Sequence, residues 1–393
     1  MLESLPADIV TQILLLLPIK SILTCICVCK PWKTLIQNPT FVSSHLHHSI
    51  TNNNNNNNHH FLLFKPCSAN PEDEIKELYA LHDNENDNFT QHTTFDFPLH
   101  VPGLNGIYTC NGLVCLTDHI YNFVLWNPSV RKCMQLPSPP NVTYKSHASI
   151  GFGFDAKNND FKVVRIVINQ NRHNLQKDRP VVEVYSLSTG EWRMVTDPLP
   201  PICTLSRRAP YAFVNGALHW IAIKWAKDRK AHCFILVFDL GDEVFREIML
   251  PKVQLYDPSY SVNVCGNSIA FFQYRASFFV YGNFVFLQGS ATDIWLMKEY
   301  GVTSSWTTVL TAAHGEELRP IGFRRNGEVI LIMHNGRLVL QDLETREKKD
   351  LRITAMKYTF VDSYVESLVL LDKAANEAVA YGGKQVKCIY TWH

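Results

Sequence analysis

Leu5-Pro-Ala-Asp-Ile-Val-Thr-Gln-Ile-Leu-Leu-Leu-Leu-Pro-Ile-Lys-Ser-Ile-Leu-Thr-Cys-Ile-Cys-Val-Cys-Lys-Pro-Trp32 is too apolar for the small fold its prolines allow. Between Met1 and Ile36, 22 of 36 residues are apolar, while Pro6, Pro18 and Pro31 cut the stretch into short pieces. Proline lacks the N–H and clashes with the preceding turn, so each piece has room for two or three helical turns. Three short helices enclose too little interior for that many large side chains. Burying one Leu or Ile is worth about 1.5–3 kcal/mol, so six left wet forfeit on the order of 10–15 kcal/mol. That rivals the whole stability of a typical domain, about 5–15 kcal/mol. The surplus predicts a surface covered by another protein.

The helix signals agree. Pro6 suits a first-turn position and Asp8 favours the positive end of the helix dipole. Ile9, Ile13, Leu16 and Leu17 recur at helical spacing, with Val10 and Leu14 widening the stripe. The first helix must stop by Leu17, before Pro18. Ser21 is a candidate N-cap for a second helix carrying Ile22, Leu23, Ile26 and Val28, and a third turn after Pro31 presents Trp32, Leu35 and Ile36.

In order and spacing, Leu5-Pro6-x-Asp8-Ile9 through Ile13-Leu14, then Leu17-Pro18-Ile19-Lys20-Ser21, then Val28-Cys29-Lys30-x-Trp32 resembles a plant-type F-box over residues 2 to 45. The resemblance implies a three-helix module that docks onto a Skp-type adaptor and, through it, a cullin–RING ubiquitin ligase. It places Leu5, Pro6, Ile9, Ile13, Leu17, Pro18, Val28, Cys29 and Trp32 at motif positions, the candidate adaptor-binding set. The run Cys25-Ile26-Cys27-Val28-Cys29 departs from the family pattern, although a thiol packs as a small hydrophobe.

Composition bounds the rest. The chain has 393 residues, enough for a small module and one large domain. Lys+Arg 37 against Asp+Glu 36 leaves a net charge of +1, which argues against a nucleic-acid partner. A 46% apolar and 11% aromatic content excludes a disordered chain. The eleven cysteines include no CxxC pair, the start carries no basic leader, and no apolar run reaches bilayer length. These features fit reduced thiols in the cytoplasm or nucleus, with no membrane partner, metal or cofactor. Ser43 to His60, with Asn52 to Asn58 consecutive and five histidines around them, reads as a solvated stretch, so residues 46–60 are assigned as a linker. Pro71 to Asp96 is acidic and reads as a long exposed loop with room for one strand near Leu78 to Leu81.

From about Gly106 the texture is β. A unit of apolar strand, polar turn and second strand recurs five times, beginning at Phe123, Val182, Ile235, Ile294 and Leu338. Several copies close in Leu-Pro, as at Leu136-Pro137 and Leu250-Pro251. Steps between equivalent landmarks Leu187, Leu240, Met297 and Leu343 match a four-stranded propeller blade of roughly 40–50 residues. Asn215-Gly216, Asn326-Gly327 and Asn335-Gly336 mark hairpins. A strand near Phe61 to Lys65 or Leu78 to Leu81, pairing with residues 365–371, would close a ring of about six blades. The fold class is therefore α+β multidomain: a three-helix module followed by an all-β propeller over residues 61–393.

Trp126-Asn-Pro-Ser-x-Arg131, Gly151-Phe-Gly-Phe-Asp155, Val184-Tyr-Ser-Leu187, Asn215-Gly-x-Leu-His-Trp220, Phe238-Asp-Leu240 and Trp295-x-Met-Lys-Glu-Tyr300 resemble the F-box-associated, divergent kelch-like domain of plant F-box proteins. Together the two resemblances imply a non-catalytic substrate receptor of an SCF-type ubiquitin ligase, its target unknown. Two other readings stay open: an adaptor-binding scaffold without ligase activity, and a propeller enzyme with titratable groups in its channel. Gly151-x-Gly153-x-x-Ala156 fits the dinucleotide pattern formally, but it lies between two strands, where no helix N-terminus can hold a pyrophosphate. Lys224, Lys227, Arg229 and Lys230, with Arg207-Arg208, read as solvated loop charge or a recognition rim.

Overall fold

In a computed structural model the chain is described over residues 6–51, 61–65, 78–83, 89–96, 104–118, 120–140, 147–168, 179–197, 200–205, 211–225, 231–251, 260–281, 284–312, 319–333, 335–354, 359–372, 379–381 and 384–386. The amino-terminal module has four helices where three were expected: α1 (Ala7–Leu15), α2 (Ile19–Cys25), α3 (Lys30–Ile36) and α4 (Pro39–Thr51). α1 is capped by Pro6, whose carbonyl accepts from Ile9 and Val10 at 3.0 and 3.2 Å. α2 starts directly after Pro18, so Ser21 is inside the helix and is not its cap. α4 enters the stretch assigned as linker. Phe41, Val42 and Leu46 are buried there along with His45 and Ser49, an apolar face hidden in the sequence among polar residues and histidines. The asparagine run lies outside the described residues.

The β-body is a six-bladed propeller. Blade 1 is β4 (Leu104–Cys110), β5 (Leu113–Asp118), β6 (Phe123–Asn127) and β7 (Lys132–Gln135). Blade 2 is β8 (His147–Asp155), β9 (Asp160–Ile168), β10 (Val181–Ser186) and β11 (Glu191–Val195). Blade 3 comprises β12 (Thr204–Leu205), β13 (Ala212–Val214), β14 (Ala217–Trp225), β15 (Ala231–Asp239) and β16 (Phe245–Met249). Blade 4 is β17 (Tyr260–Cys265), β18 (Ser268–Tyr281), β19 (Phe284–Met297) and β20 (Trp306–Thr311). Blade 5 is β21 (Arg319–Phe323), β22 (Val329–Ile332), β23 (Arg337–Gln341) and β24 (Lys348–Thr354). Blade 6 joins β1 (Phe61–Lys65), β2 (Leu78–Asp83) and β3 (Gln91–Asp96) to β25 (Phe360–Tyr364). The ring therefore closes through β1 on β25, Phe61 opposite Tyr364, and not through residues 365–371. The acidic stretch supplies two strands, β2 and β3, where one was expected. A two-stranded ribbon, β26 (Val379–Tyr381) with β27 (Lys384–Val386), lies outside the blades.

Each of the five recurring sequence units forms the third and fourth strands of a blade. Both faces of a blade are covered by its neighbours, so alternate residues serve opposite interfaces and the strands read as unbroken apolar runs. Leu62 packs with Ile330 and Leu340 of blade 5, while adjacent Leu63 packs with Val114 and Trp126 of blade 1. The Leu-Pro endings also find a purpose. Trp192 of blade 2 donates from Nε1 to the Pro137 carbonyl at 2.7 Å, and Trp306 of blade 4 donates to the Met249 carbonyl at 3.0 Å. Each outer strand is thus tied to the end of the blade before it.

The Gly151-x-Gly153 pair is a packing device. A Cβ at Gly151 would stand 2.6 Å from Trp220 and 2.8 Å from Leu218, and one at Gly153 would stand 2.6 Å from Phe213. Blade 3 presses directly on the β8 backbone, and Trp220 Nε1 donates to the Ile150 carbonyl at 3.1 Å. Gly151→Ala is expected to cost about 1–3 kcal/mol by overpacking, read as a lowered Tm. An unchanged Tm would mean the blades separate freely at this seam.

Candidate docking surfaces

The helical module has two apolar sides, and the body covers one. Val10, Leu14, Ile19, Ile22, Ile36, Phe41 and Val42 share a buried cluster with Val130 of blade 1 and with Leu368 and Leu371, beyond β25. Leu46 of α4 enters the core between blades 1 and 2, and Asn159 donates from Nδ2 to the Ser43 hydroxyl at 2.7 Å. The surplus of apolar surface, assigned from sequence wholly to a partner, is therefore partly absorbed within the chain.

The other side stays bare. Ile9 and Ile13 of α1 and its C-cap Leu16 follow at i, i+4 and i+7 and are 47, 44 and 72% exposed; Val28, in the α2–α3 connection, is 63% exposed. Four of the ten large apolar side chains exposed among the described residues thus fall within twenty positions of one small module. Pro6 and Pro18 are exposed as well. Leu17 and Trp32 are half-buried against the module's own core, and Cys29 is half-buried at the α3 N-terminus with an extended backbone. Leu5 lies outside the described residues. The motif-based set omits Leu16, the most exposed of all, which the seven-residue step from Ile9 would have found.

Blade topology gives the body two distinct ends. The β4–β5, β6–β7 and β8–β9 turns share the end on which the helices sit. The strand ends flanking residues 66–77, 169–180 and 226–230 are at the opposite end. There β18 and β19 run on past their neighbours: β17 stops opposite Gln273 and β20 opposite Asp293, while the two long strands stay paired out to Tyr281 and Phe284. At about 3.3 Å per residue, the eight residues of β18 beyond Gln273 project on the order of 25 Å. Of the basic residues read as a rim, Lys224 pairs with Glu247 at 2.5 Å and lies 4.8 Å from the Phe234 ring centre. Lys227, Arg229, Lys230, Arg207 and Arg208 fall outside the described residues.

Asp362 on β25 is pushed up to about 6 by burial, and its Oδ2 accepts the Thr109 hydroxyl at 2.5 Å. The Tyr108 and Tyr211 rings meet nearby, tilted by 56° with centres 5.2 Å apart, and the Tyr211 hydroxyl donates to the Phe152 carbonyl. Among the described residues no group of three His, Cys, Asp or Glu side chains could hold a metal ion. Eight of the described cysteines are free thiols.

His219, in the Asn-Gly-x-Leu-His-Trp phrase, is structural. Its Nδ1 lies 3.1 Å from the Ala212 carbonyl, which only accepts, so Nδ1 carries the proton and Nε2 accepts from the Tyr300 hydroxyl at 2.8 Å. Burial is the main cause holding it down at about 4, against the usual 6.5. The unfolded imidazole binds a proton from about pH 6.5 downward that the folded one refuses until about 4. Its stabilisation is therefore full above about 6.5 and drains away toward 4, on the order of 3 kcal/mol at the acid end. Buried His45, also held at about 4, acts in the same direction, and Asp362 opposes both. Removing His219 by substitution with Gln should flatten the fall of Tm between pH 6.5 and 4. An identical slope in both proteins would refute the assignment.

The structure is thus a helical module with one exposed apolar face, seated on one end of a six-bladed propeller. The family comparison agrees: the F-box domain matches residues 2–44, and the F-box associated beta propeller domain matches residues 83–390. The chain belongs to the F-box proteins that carry this propeller. It is similar to the Arabidopsis thaliana F-box protein At3g07870, 28% identical over 86% of this chain and 83% of that protein. It is also similar to the F-box protein CPR1 of the same plant, 25% identical over 98% of this chain and 93% of that protein. The Arabidopsis F-box protein At4g22390 is 26% identical over 93% of this chain and 90% of its own length.

Proposed function

We propose that this protein is the substrate-recognition subunit of an SCF-type ubiquitin ligase acting in the cytoplasm or nucleus. Its F-box would bind a Skp-type adaptor, and through it a cullin–RING ligase, while the propeller holds a target protein. The observation that carries the reading is the bare Ile9, Ile13 and Leu16 stripe on a module whose other apolar side is already buried. Exposed apolar surface of that density on a small module is the signature of a partner. Membership of the F-box family supports the adaptor as that partner. We place the target at the end of the propeller away from the helices, where the β18–β19 hairpin overhangs.

In this role the protein contributes no chemistry. It raises the effective concentration of a target lysine beside a charged conjugating enzyme, which makes the transfer nearly intramolecular. Co-expression of the full chain with a Skp-type adaptor should yield a stable complex from which added cullin and RING subunits co-purify. Capture of the adaptor without the cullin would instead make the protein a scaffold, and no capture at all would overturn the reading.

A further inference from the structure

The Trp126-Asn-Pro-Ser phrase sits beside residues 365–371, and this segment forms no strand although much of it is buried: Ser367 0%, Leu368 0% and Leu370 1% exposed. No β-ladder serves its carbonyls: that of Leu368 accepts the Leu371 N–H at 2.9 Å, and side chains supply donors to others. Asn127, fully buried at the end of β6, does so. Its Nδ2 donates to the Ser367 and Val369 carbonyls at 2.9 and 2.8 Å and lies 3.1 Å from the Ser367 hydroxyl. Its Oδ1 accepts the Ser129 N–H at 2.9 Å. Lys132 donates to the Leu371 carbonyl at 2.9 Å, and the Ser129 and Tyr364 hydroxyls meet at 2.8 Å. Gly112 lets the segment close down: with φ at +81°, a Cβ there would be 2.6 Å from the Val365 carbonyl oxygen.

The far side of the same segment presents Leu368 and Leu371 to the helical module's core, beside Val130. We propose that residues 365–371, clamped by Asn127, are a mount that fixes the F-box against the propeller as one rigid body. Only an amide fits the clamp, because two carbonyls need N–H donors while the Ser129 N–H needs an acceptor. An aspartate would turn an oxygen toward the carbonyls. Under the ligase reading, on which this consequence rests, the mount sets the distance from the target-facing end to the conjugating enzyme.

Hydrogen exchange on the full chain, measured both alone and with adaptor, tests the mount with two variants. Asn127→Asp removes the donors from the blade side, and Leu368→Ser weakens the helix side without touching Asn127. In both, the amides of α4 and residues 366–371 should exchange at least about tenfold faster, while β9 and β14 keep their protection. Small-angle scattering of the complex should show an increased maximum dimension. Unchanged α4 protection in either variant would overturn the proposal. So would a loss of protection spread through blades 1 and 2, since Asn127 would then hold the blade and not the module. Failure of the wild-type chain to capture adaptor would strike the ligase reading alone and leave the exchange result to stand on its own.

Discussion

Replacing Ile9 and Ile13 together by glutamate is expected to weaken capture of a Skp-type adaptor by at least about 100-fold and to leave the Tm within a few degrees of wild type. Both side chains are close to half exposed in the free chain, so little folded-state packing is lost when they change. Docking would remove their remaining surface from water along with that of Leu16, and full burial of such a side chain is worth about 1.5–3 kcal/mol. Two carboxylates placed in that contact lose the apolar gain and must also be desolvated without partners. Isothermal titration with purified adaptor, paired with thermal melts, reads both quantities. The contrasting pair is Val10→Glu with Leu14→Glu, residues 7 and 1% exposed that face the shared core with Leu368 and Leu371. Those changes should release the module from the propeller and lower stability as well as adaptor capture. Equal behaviour of the two pairs, or full binding by the Ile9/Ile13 variant, would show that α1 is not the docking element.

That contrast also shows where sequence reasoning stops. The first three helices of the module were legible because Pro6, Pro18 and Pro31 are backbone rules that act locally. The blades were legible because burial on both faces writes continuous apolar runs at a blade-sized spacing. The division of the apolar girdle into an inward and an outward side was not legible. It depends on Leu368 and Leu371, more than 300 positions away, whose place is fixed by the ring closing at β25. The same distance hid the closing register: residues 365–371 are as apolar as a strand, but Asn127 and Lys132 have already taken their carbonyls. α4 escaped for the opposite reason. Its buried face is short, and the histidines around it carry the composition of the polar tract that follows. His45 is buried in that face, held at about 4 mainly by desolvation.

Glu183→Gln is expected to cost on the order of 3–5 kcal/mol, and so is Arg165→Met, while the double variant Arg165→Met, Glu183→Leu recovers most of the loss. The two residues are cross-strand partners on β9 and β10, and Arg165 Nη1 meets Glu183 Oε2 at 2.5 Å with both side chains fully buried. The Tyr121 ring of blade 1 covers the guanidinium at 4.8 Å, so the pair bridges the seam between blades 1 and 2. Removing one partner leaves the other charge buried without its ion-pair counterpart, which accounts for the large single effects. Removing both exchanges an ion pair for apolar contacts in a seam already lined by Phe123, Phe152 and Tyr185, and desolvation no longer has to be offset. In thermal melts the single variants should fall by roughly 10 °C, and the coupling in the double-mutant cycle should exceed that of the partly exposed Lys224–Glu247 pair. Additive losses would show that the charges act independently. Blades 1 and 2 also seat the helical module, through Val130, Leu46 and the Asn159–Ser43 bond. A seam loosened by either single change should therefore loosen α4 as well, whereas the double variant should hold it as firmly as the native pair does.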